Sequence, residues 1–159
     1  VPMLSIQDVF SREDVDKFVN DMKEKLGDDT EFIVETKIDG LSMALRYENG
    51  ELVTAITRGD GRIEGEDVTE NARVIEDVVQ TLKDKLEYLE IRGEVYMENA
   101  AFDRVNERQE ILGKKLFANP RNCAAGTLRQ LDPSITAERG LSMFVFNLQD
   151  VRGREFATH

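Results

Sequence analysis

A lysine between two carboxylates is the feature of this sequence that most clearly points to chemistry. Lys37 lies in the string Glu-Thr-Lys-Ile-Asp-Gly, two residues after Glu35 and two before Asp39. In an extended run, alternate side chains share a face, so the lysine would lie between the two acids. An amine attacks only when it is uncharged, and neighbouring carboxylates favour the charged form. A nucleophilic lysine therefore needs further positive charge nearby, and the alternative is an ordinary charged strand surface.

Two arginines and a glutamate could bind a phosphorylated ligand. Glu94 follows Gly93 in a β-prone run, where a glycine could let a ligand approach the backbone and the carboxylate could accept hydrogen bonds from ribose hydroxyls. Arg121 and Arg129 are about two helical turns apart, and residues 111–131 contain no acid. Two guanidinium groups on one helix face suit phosphate oxygens. The alternatives are a surface acid and a solvated basic stripe.

Composition excludes several other kinds of chemistry. The 159 residues include a single cysteine, which excludes an internal disulfide framework or a cysteine-rich zinc site. The single histidine is the last residue, His159, and this argues against a Ser-His-Asp or Cys-His arrangement. The net charge of −11 is opposite to that of a stand-alone nucleic-acid binder, so any nucleic-acid contact must be local or made by another domain or partner. No apolar run reaches the roughly 20 residues that span a bilayer. The low cysteine count fits a reducing, cytoplasmic compartment.

Helices and strands are predicted to mix without a regular βαβ alternation. This pattern predicts an α+β fold with a largely antiparallel sheet flanked by helices. An amphipathic helix is predicted over residues 11–27, because Ser11 is a good N-cap and Gly27 can end the helix. The other predicted elements are strands from Phe32 to Thr36, Leu89 to Met97 and Leu141 to Leu148, and helices from Asp67 to Val79, Asn99 to Ile111 and Asn119 to Leu131.

Asn49-Gly50, between two alternating apolar and polar segments, predicts a two-residue β-hairpin. With Glu48 opposite Glu51, a regular ladder would place Arg58 opposite Leu41. Arg58 would then lie on the apolar face of the hairpin, where a charged side chain needs a partner, a ligand or the sheet edge.

The lysine motif resembles the KxDG signature of the covalent nucleotidyltransferases, which are DNA ligases, RNA ligases and capping enzymes. Six further strings occur in order along the chain, and together they closely resemble the adenylation domain of bacterial NAD-dependent DNA ligase. The resemblance implies the covalent nucleotidyltransferase fold over residues 1–159, incomplete at its C-terminus. The six strings occupy residues 2–6, 57–61, 65–69, 90–95, 117–122 and 128–133.

The resemblance implies a role for each candidate residue. Lys37 would attack the adenylyl phosphorus of NAD, release nicotinamide mononucleotide and hold AMP as a phosphoramidate. Asp39 would act beside it in shaping the catalytic turn. Mg²⁺ would be needed, with no protein residue assigned as its ligand, and its charge would favour the neutral amine. Binding of the cofactor would involve Ser5, Ile6, Glu35, Gly40, Arg58, Glu94 and Phe146, and Arg121 and Arg129 would contact the phosphates of the nicked strand.

Two of these positions depart from the family's usual residues. Ile6 stands where the family usually has leucine, which is a conservative change. Phe146 stands where the family commonly places a tyrosine against the adenine. A phenyl ring still stacks, although it lacks the hydroxyl group.

The resemblance implies a monomeric cytoplasmic enzyme that uses NAD to seal nicked double-stranded DNA in replication and repair, without a membrane partner. The family's domain continues with two further lysine-bearing motifs that this sequence lacks, so we expect a truncated portion that does not seal nicks alone. One alternative is a non-catalytic adenine-nucleotide-binding fragment of the same domain. The other is a capping-enzyme or RNA-ligase relative that shares only the lysine motif.

Overall fold

The structure, a computed structural model, describes residues 7–59 and 65–155. Ser5 and Ile6, which the resemblance assigns to the cofactor site, lie outside these residues. The described residues divide between two compact units, an N-terminal unit of residues 7–37 and a second unit of residues 38–155.

The N-terminal unit contains helix α1, Arg12–Leu26. The hydroxyl of Ser11 accepts a hydrogen bond of 3.1 Å from the backbone N–H of Asp14, which satisfies one free donor of the first turn. Gly27 ends the helix with a φ of 116°, a backbone conformation that favours glycine. The helix therefore lies between the two residues that were predicted to bound it.

The strand predicted from Phe32 to Thr36 does not form, since this segment has no regular secondary structure. Ile33 and Val34 are 84% and 95% exposed. A β-prone run forms a strand only where a neighbouring strand and a packing surface support it, and sequence alone does not supply these. The prediction that Glu35 shares a strand face with the lysine motif is consequently wrong.

The second unit is built on a four-stranded antiparallel sheet with strand order β2-β1-β3-β4. The strands are β1, Leu41–Glu48; β2, Glu51–Thr57; β3, Tyr88–Tyr96; and β4, Ser142–Arg152. The α+β class with a largely antiparallel sheet is confirmed.

Within the described part of this unit, four helices accompany the sheet: α2, Thr69–Arg73; α3, Asn99–Ile111; α4, Pro120–Leu128; and α5, Pro133–Arg139. The side chain of Asn119 caps α4, accepting a hydrogen bond of 2.8 Å from a backbone N–H of the first turn. Proline at the first helical position suits this start, because its missing N–H would have had no helical partner. Helices α3 and α4 begin within one residue of their predicted starts.

Helix α2 ends well before the predicted Val79. Beyond it the chain turns so that Ile75 and Val78 are buried in the core, 2% and 4% exposed. This stretch is rich in β-branched residues, which are weaker helix formers. The helix was predicted too long because burial of these two side chains requires the turn.

Helix α5 was not predicted, although its start carries a recognisable signal. Asp132 caps it by accepting a hydrogen bond of 2.9 Å from the backbone N–H of Ser134, and Pro133 occupies the first helical position. The same combination of a capping side chain and a proline correctly indicated the start of α4.

The hairpin forms with Glu48 opposite Glu51, as predicted, but its register then changes. A β-bulge puts one extra residue, Val53, on β2, so that Leu45 pairs with Ala55. Side chains alternate along a strand, and a slip of one residue therefore exchanges the two faces.

The bulge decides where Arg58 lies. Its backbone N–H donates a 3.1 Å hydrogen bond to the carbonyl oxygen of Ser42, which extends the shifted ladder by one pair. Arg58 therefore lies opposite Ser42 and not opposite Leu41. The predicted position of Arg58 on the apolar face is wrong.

The hydrophobic core lies between one face of the sheet and helices α2 and α4. Cys123 of α4 is fully buried there, and burial raises the pKa of its thiol, as expected for a packing residue. The hydroxyl of Tyr47 donates a 2.8 Å hydrogen bond to the carbonyl oxygen of Val79, and burial raises the pKa of this tyrosine to about 12. The largest fully buried apolar side chains are Tyr47, Met43, Leu45, Leu128 and Val95.

Candidate functional site

The face of the sheet opposite the core carries charged side chains in register. In the pairing of β1 with β3, Ser42 is opposite Glu94 and Arg46 is opposite Glu90. Arg92 lies between the two glutamates on β3, two residues from each. Alternation along both strands places all five side chains on one side. We call this set the polar face.

At one end of the polar face, the hydroxyl of Ser42 hydrogen-bonds to two charged residues. Its hydroxyl donates a 2.9 Å hydrogen bond to Oε2 of Glu94 and accepts one of 3.4 Å from Nη2 of Arg92. Burial, followed by the positive charge of Arg58, lowers the pKa of Arg92, and the charge of Glu94 opposes this shift. The structure thus brings Arg58 and Glu94, both predicted for the site, close to the same arginine.

Phe146 of β4 lies at the same end. The guanidinium carbon of Arg92 is 5.7 Å from the centroid of the Phe146 ring, a distance typical of a cation–π contact. Phe146 lies at a register shift between β3 and β4, where Asn147 pairs with Arg92 and Val145 pairs with Gly93. This irregularity explains why strand alternation alone would not place the ring.

Two glycines near the site have different reasons to be glycine. A Cβ atom on Gly40 would lie 2.1 Å from the carbonyl oxygen of Val95, so the chain entering β1 approaches β3 too closely for any side chain. A Cβ atom on Gly93 would lie 2.6 Å from both Cε of Met143 and the carbonyl oxygen of Phe144. Strand β4 already occupies the space beside Gly93, and the prediction that this glycine admits a ligand is wrong.

The two arginines predicted to bind phosphate both have carboxylate partners. Nη1 of Arg121 is 3.5 Å from Oδ1 of Asp39, and Nε of Arg129 is 2.5 Å from Oε2 of Glu66. Helix α4 ends just before Arg129, which is its C-cap. The local absence of acids was correctly read from the sequence, but acids distant in the chain supply the partners. Exposed pairs of this kind contribute little stability, roughly 0–1 kcal/mol, so an incoming phosphate can replace the carboxylate.

Glu35 and Lys37 belong to the N-terminal unit, and both side chains are exposed. Asp39 belongs to the second unit, so the lysine motif spans the boundary between the two. The roles assigned to Glu35 and Lys37 by resemblance stay predictions.

Sequence analysis missed a buried ionic network at the other end of the polar face. Glu90 is only 3% exposed, and its Oε2 lies 2.7 Å from Nε of Arg46 and accepts a 2.8 Å hydrogen bond from the hydroxyl of Tyr88. Burial raises the pKa of Glu90, but the hydrogen bonds from Arg46 and Tyr88 outweigh it and leave the pKa below its ordinary value. The alternation of Glu90, Arg92 and Glu94 was the signal that could have revealed a charged sheet face.

Within residues 7–59 and 65–155, no three Asp, Glu, Cys or His side chains group closely enough to hold a metal ion. Mg²⁺ commonly binds through substrate phosphates and one or two carboxylates, which does not require such a group. Over the same residues, no helix is long and apolar enough to cross a membrane.

The α+β fold, with its four-stranded antiparallel sheet, is consistent with a nucleotidyltransferase adenylation domain. The chain belongs to the family described as the NAD-dependent DNA ligase adenylation domain, which it matches over residues 1–159.

Several curated relatives, all named DNA ligase, are similar to this chain. The relative from Acetivibrio thermocellus is 52% identical over 159 residues, which is 100% of this chain and 24% of the relative. The relative from Bradyrhizobium diazoefficiens is 58% identical over 151 residues, covering 92% of this chain and 21% of the relative. A relative from Lactobacillus acidophilus is 53% identical over 146 residues, covering 92% and 22%. The chain spans about a quarter of the length of these relatives.

Proposed function

We propose that this chain is the nucleotide-binding core of an NAD-dependent DNA ligase and supplies its lysine nucleophile. The observation that carries the proposal is the group of Arg58, Glu94 and Phe146 at one end of the polar face, held together through Ser42 and Arg92. A carboxylate, a cation and an aromatic ring are the groups that ribose, phosphate and adenine require. Family membership over the whole chain supports the same assignment.

In the proposed reaction, the uncharged amine of Lys37 attacks the adenylyl phosphorus of NAD. A nitrogen–phosphorus bond forms, the phosphorus–oxygen bond to nicotinamide mononucleotide breaks, and the amine proton passes to solvent. The AMP held on the lysine then activates the 5′-phosphate of a DNA nick for sealing. When bound, Mg²⁺ would supply positive charge that favours the uncharged amine, with no residue of this chain assigned as its ligand.

The remaining residues bind and orient the nucleotide. Glu94, fixed by its hydrogen bond from Ser42, accepts hydrogen bonds from the ribose hydroxyls. Phe146 stacks against the adenine, and Glu35 hydrogen-bonds its edge. Arg58 lies close enough to the same end to neutralise phosphate charge. Ser5, Ile6, Asp39 and Gly40 complete the proposed site.

We further propose that the protein acts as a monomer in the cytoplasm, on nicked double-stranded DNA in replication and repair. Arg121 and Arg129 contact the phosphates of the nicked strand by exchanging their surface carboxylate partners for phosphate oxygens.

The test is self-adenylation of the full-length protein. After incubation with adenine-labelled NAD and Mg²⁺, mass spectrometry should find AMP on Lys37, and Lys37→Ala should abolish labelling because no other amine replaces the nucleophile. Lys17→Ala, a substitution of an exposed lysine on helix α1, is the matched control and should label normally. Labelling by ATP and not by NAD, or AMP attached to another residue, would contradict the proposal.

A further inference from the structure

A cavity of about 440 Å³ between helices α3 and α5 is bordered by four cationic side chains and one acidic side chain among its described lining residues. Arg104 and Arg108 line it from α3, Lys114 from the segment after α3, and Arg139 from α5. Glu138 is the one acidic residue among the described lining residues. This excess of positive charge is local, since the chain as a whole carries a net charge of −11.

The charges of helix α3 are segregated around its axis. Arg104 and Arg108 are four residues apart and share a face, and both line the cavity. Asp103, Glu107 and Glu110 form a second stripe at helical spacing, and none of these acids lines the cavity. The helix therefore presents its cations to the cavity and its acids elsewhere.

Two of the bordering cations are held by the protein. The guanidinium of Arg139 donates a 3.0 Å hydrogen bond to the hydroxyl of Thr127 and lies 5.3 Å from the ring centroid of Phe117. Arg108 forms an ion pair with Glu138, and both side chains are more than half exposed. The positive charge of Arg139 is therefore held in place, whereas Arg108 could exchange its exposed partner Glu138 for another anion.

The other two cations, Arg104 and Lys114, are exposed, and neither has a carboxylate at ion-pair distance within the described part of the chain. Long cationic side chains in this state can neutralise a phosphate without first breaking an internal contact.

We propose that this cavity between α3 and α5 binds the phosphodiester backbone of DNA, at a site additional to Arg121 and Arg129. Arg104 and Arg108 are separated by about 6 Å along the helix axis, which is close to twice the axial spacing of ~3.4 Å between successive charges on one DNA strand. The described lining residues include no aromatic ring, so phosphates are recognised here and bases are not.

The cavity belongs to the same group of helices as Arg121, one of the DNA contacts already proposed. Helices α3, α4 and α5 pack against one another, and Arg121 lies in the first turn of α4. Because the three helices pack together, we expect one duplex to contact both α4 and the α3–α5 cavity. This inference rests on the proposed function, in which the protein acts on DNA.

The experiment measures how DNA affinity depends on salt in the full-length protein. Binding of a fluorescently labelled nicked duplex is followed by anisotropy between about 50 and 200 mM NaCl. The variant Arg104→Gln/Lys114→Gln removes both exposed cations of the cavity. The control Lys83→Gln/Lys85→Gln removes two exposed lysines outside it, so both variants change the net charge equally.

The Arg104→Gln/Lys114→Gln variant is expected to bind the duplex more weakly. The slope of its plot of log affinity against log salt should be smaller in magnitude by about 2, because each phosphate that the protein no longer neutralises reduces the slope by about 1. The control should keep the original slope, and equal thermal midpoints would show that both variants are folded. An unchanged slope in the cavity variant, or an equally reduced slope in the control, overturns the site. Failure of the unsubstituted protein to take AMP from NAD would overturn the proposed function instead, whatever the slopes show.

Discussion

At the scale of single residues, Glu90 shows how the polar face holds a buried carboxylate in its charged form. The side chain is almost fully buried, and burial alone would favour the neutral acid. Arg46 and Tyr88 each donate a hydrogen bond to Oε2, and these bonds keep the pKa below its ordinary value. The network therefore stabilises the folded state only while Glu90 is ionised.

We expect Glu90→Gln to lower the free energy of unfolding by about 1–3 kcal/mol at neutral pH, because it removes a charged hydrogen-bond acceptor. Because the pKa of Glu90 is lower in the folded state, its contribution to stability is complete above the ordinary glutamate pKa of 4.5. This contribution is lost as the pH falls through the pKa of the folded state. The difference between the two proteins should therefore shrink below about pH 4.5. Urea unfolding at several pH values above and below 4.5, followed by circular dichroism, measures this difference in the free energy of unfolding.

Glu66→Gln is the matched control, since Glu66 is paired with Arg129 but exposed. Glu66→Gln should lower the free energy of unfolding by less than about 1 kcal/mol. A loss as large as that of Glu90→Gln would show that burial of the carboxylate is not the cause.

Arg121→Ala should reduce nick sealing by roughly 10-fold or more, as expected for the loss of a charge-assisted hydrogen bond to phosphate. Self-adenylation should change much less, because the proposed contact is to DNA and not to NAD. Single-turnover assays of the two steps in the full-length protein provide the comparison. An equal loss in both steps would argue against a DNA contact.

At the scale of elements, one extra residue on β2 decides which side chains share the polar face. Val53 creates a β-bulge that puts Arg58 opposite Ser42. On its other side, Ser42 pairs with Glu94 of β3. A regular hairpin of the same length would have directed Arg58 to the core. The site thus depends on an irregularity of the sheet as well as on its residues.

Strand β4 should be sensitive to any side chain at position 93. We expect Gly93→Ala to destabilise the protein by about 1–3 kcal/mol, because its Cβ would lie 2.6 Å from Cε of Met143 and from the carbonyl oxygen of Phe144. Urea unfolding would measure the loss, and hydrogen exchange should locate it in β3 and β4.

Gly126→Ala, in helix α4, provides the contrast. Its Cβ would meet only Cε1 of Phe117, at 3.4 Å, which is an ordinary contact. Because alanine favours helix, this variant should be neutral or more stable by up to about 1 kcal/mol. Equal destabilisation by both substitutions would refute the steric explanation for Gly93.

At the scale of the whole molecule, the chain spans about a quarter of its relatives' length. We expect these 159 residues to bind AMP in calorimetry, yet to acquire no covalent label from NAD. The full-length protein should do both. Labelling of the 159-residue chain would show that its own cations are sufficient to activate Lys37, and the absence of any AMP binding would contradict the proposed pocket.

The sequence by itself determined the class of fold, the ends of α1 and the start of α4, because capping and turn signals act over a few residues. It also identified the family, through motifs whose residue types the chemistry demands. Only the tertiary structure decided the face of Arg58, the acid partners of Arg121 and Arg129, the burial of Glu90 and the α3–α5 cavity. Each of these depends on register or on contacts between residues far apart in the chain, and no local pattern encodes them.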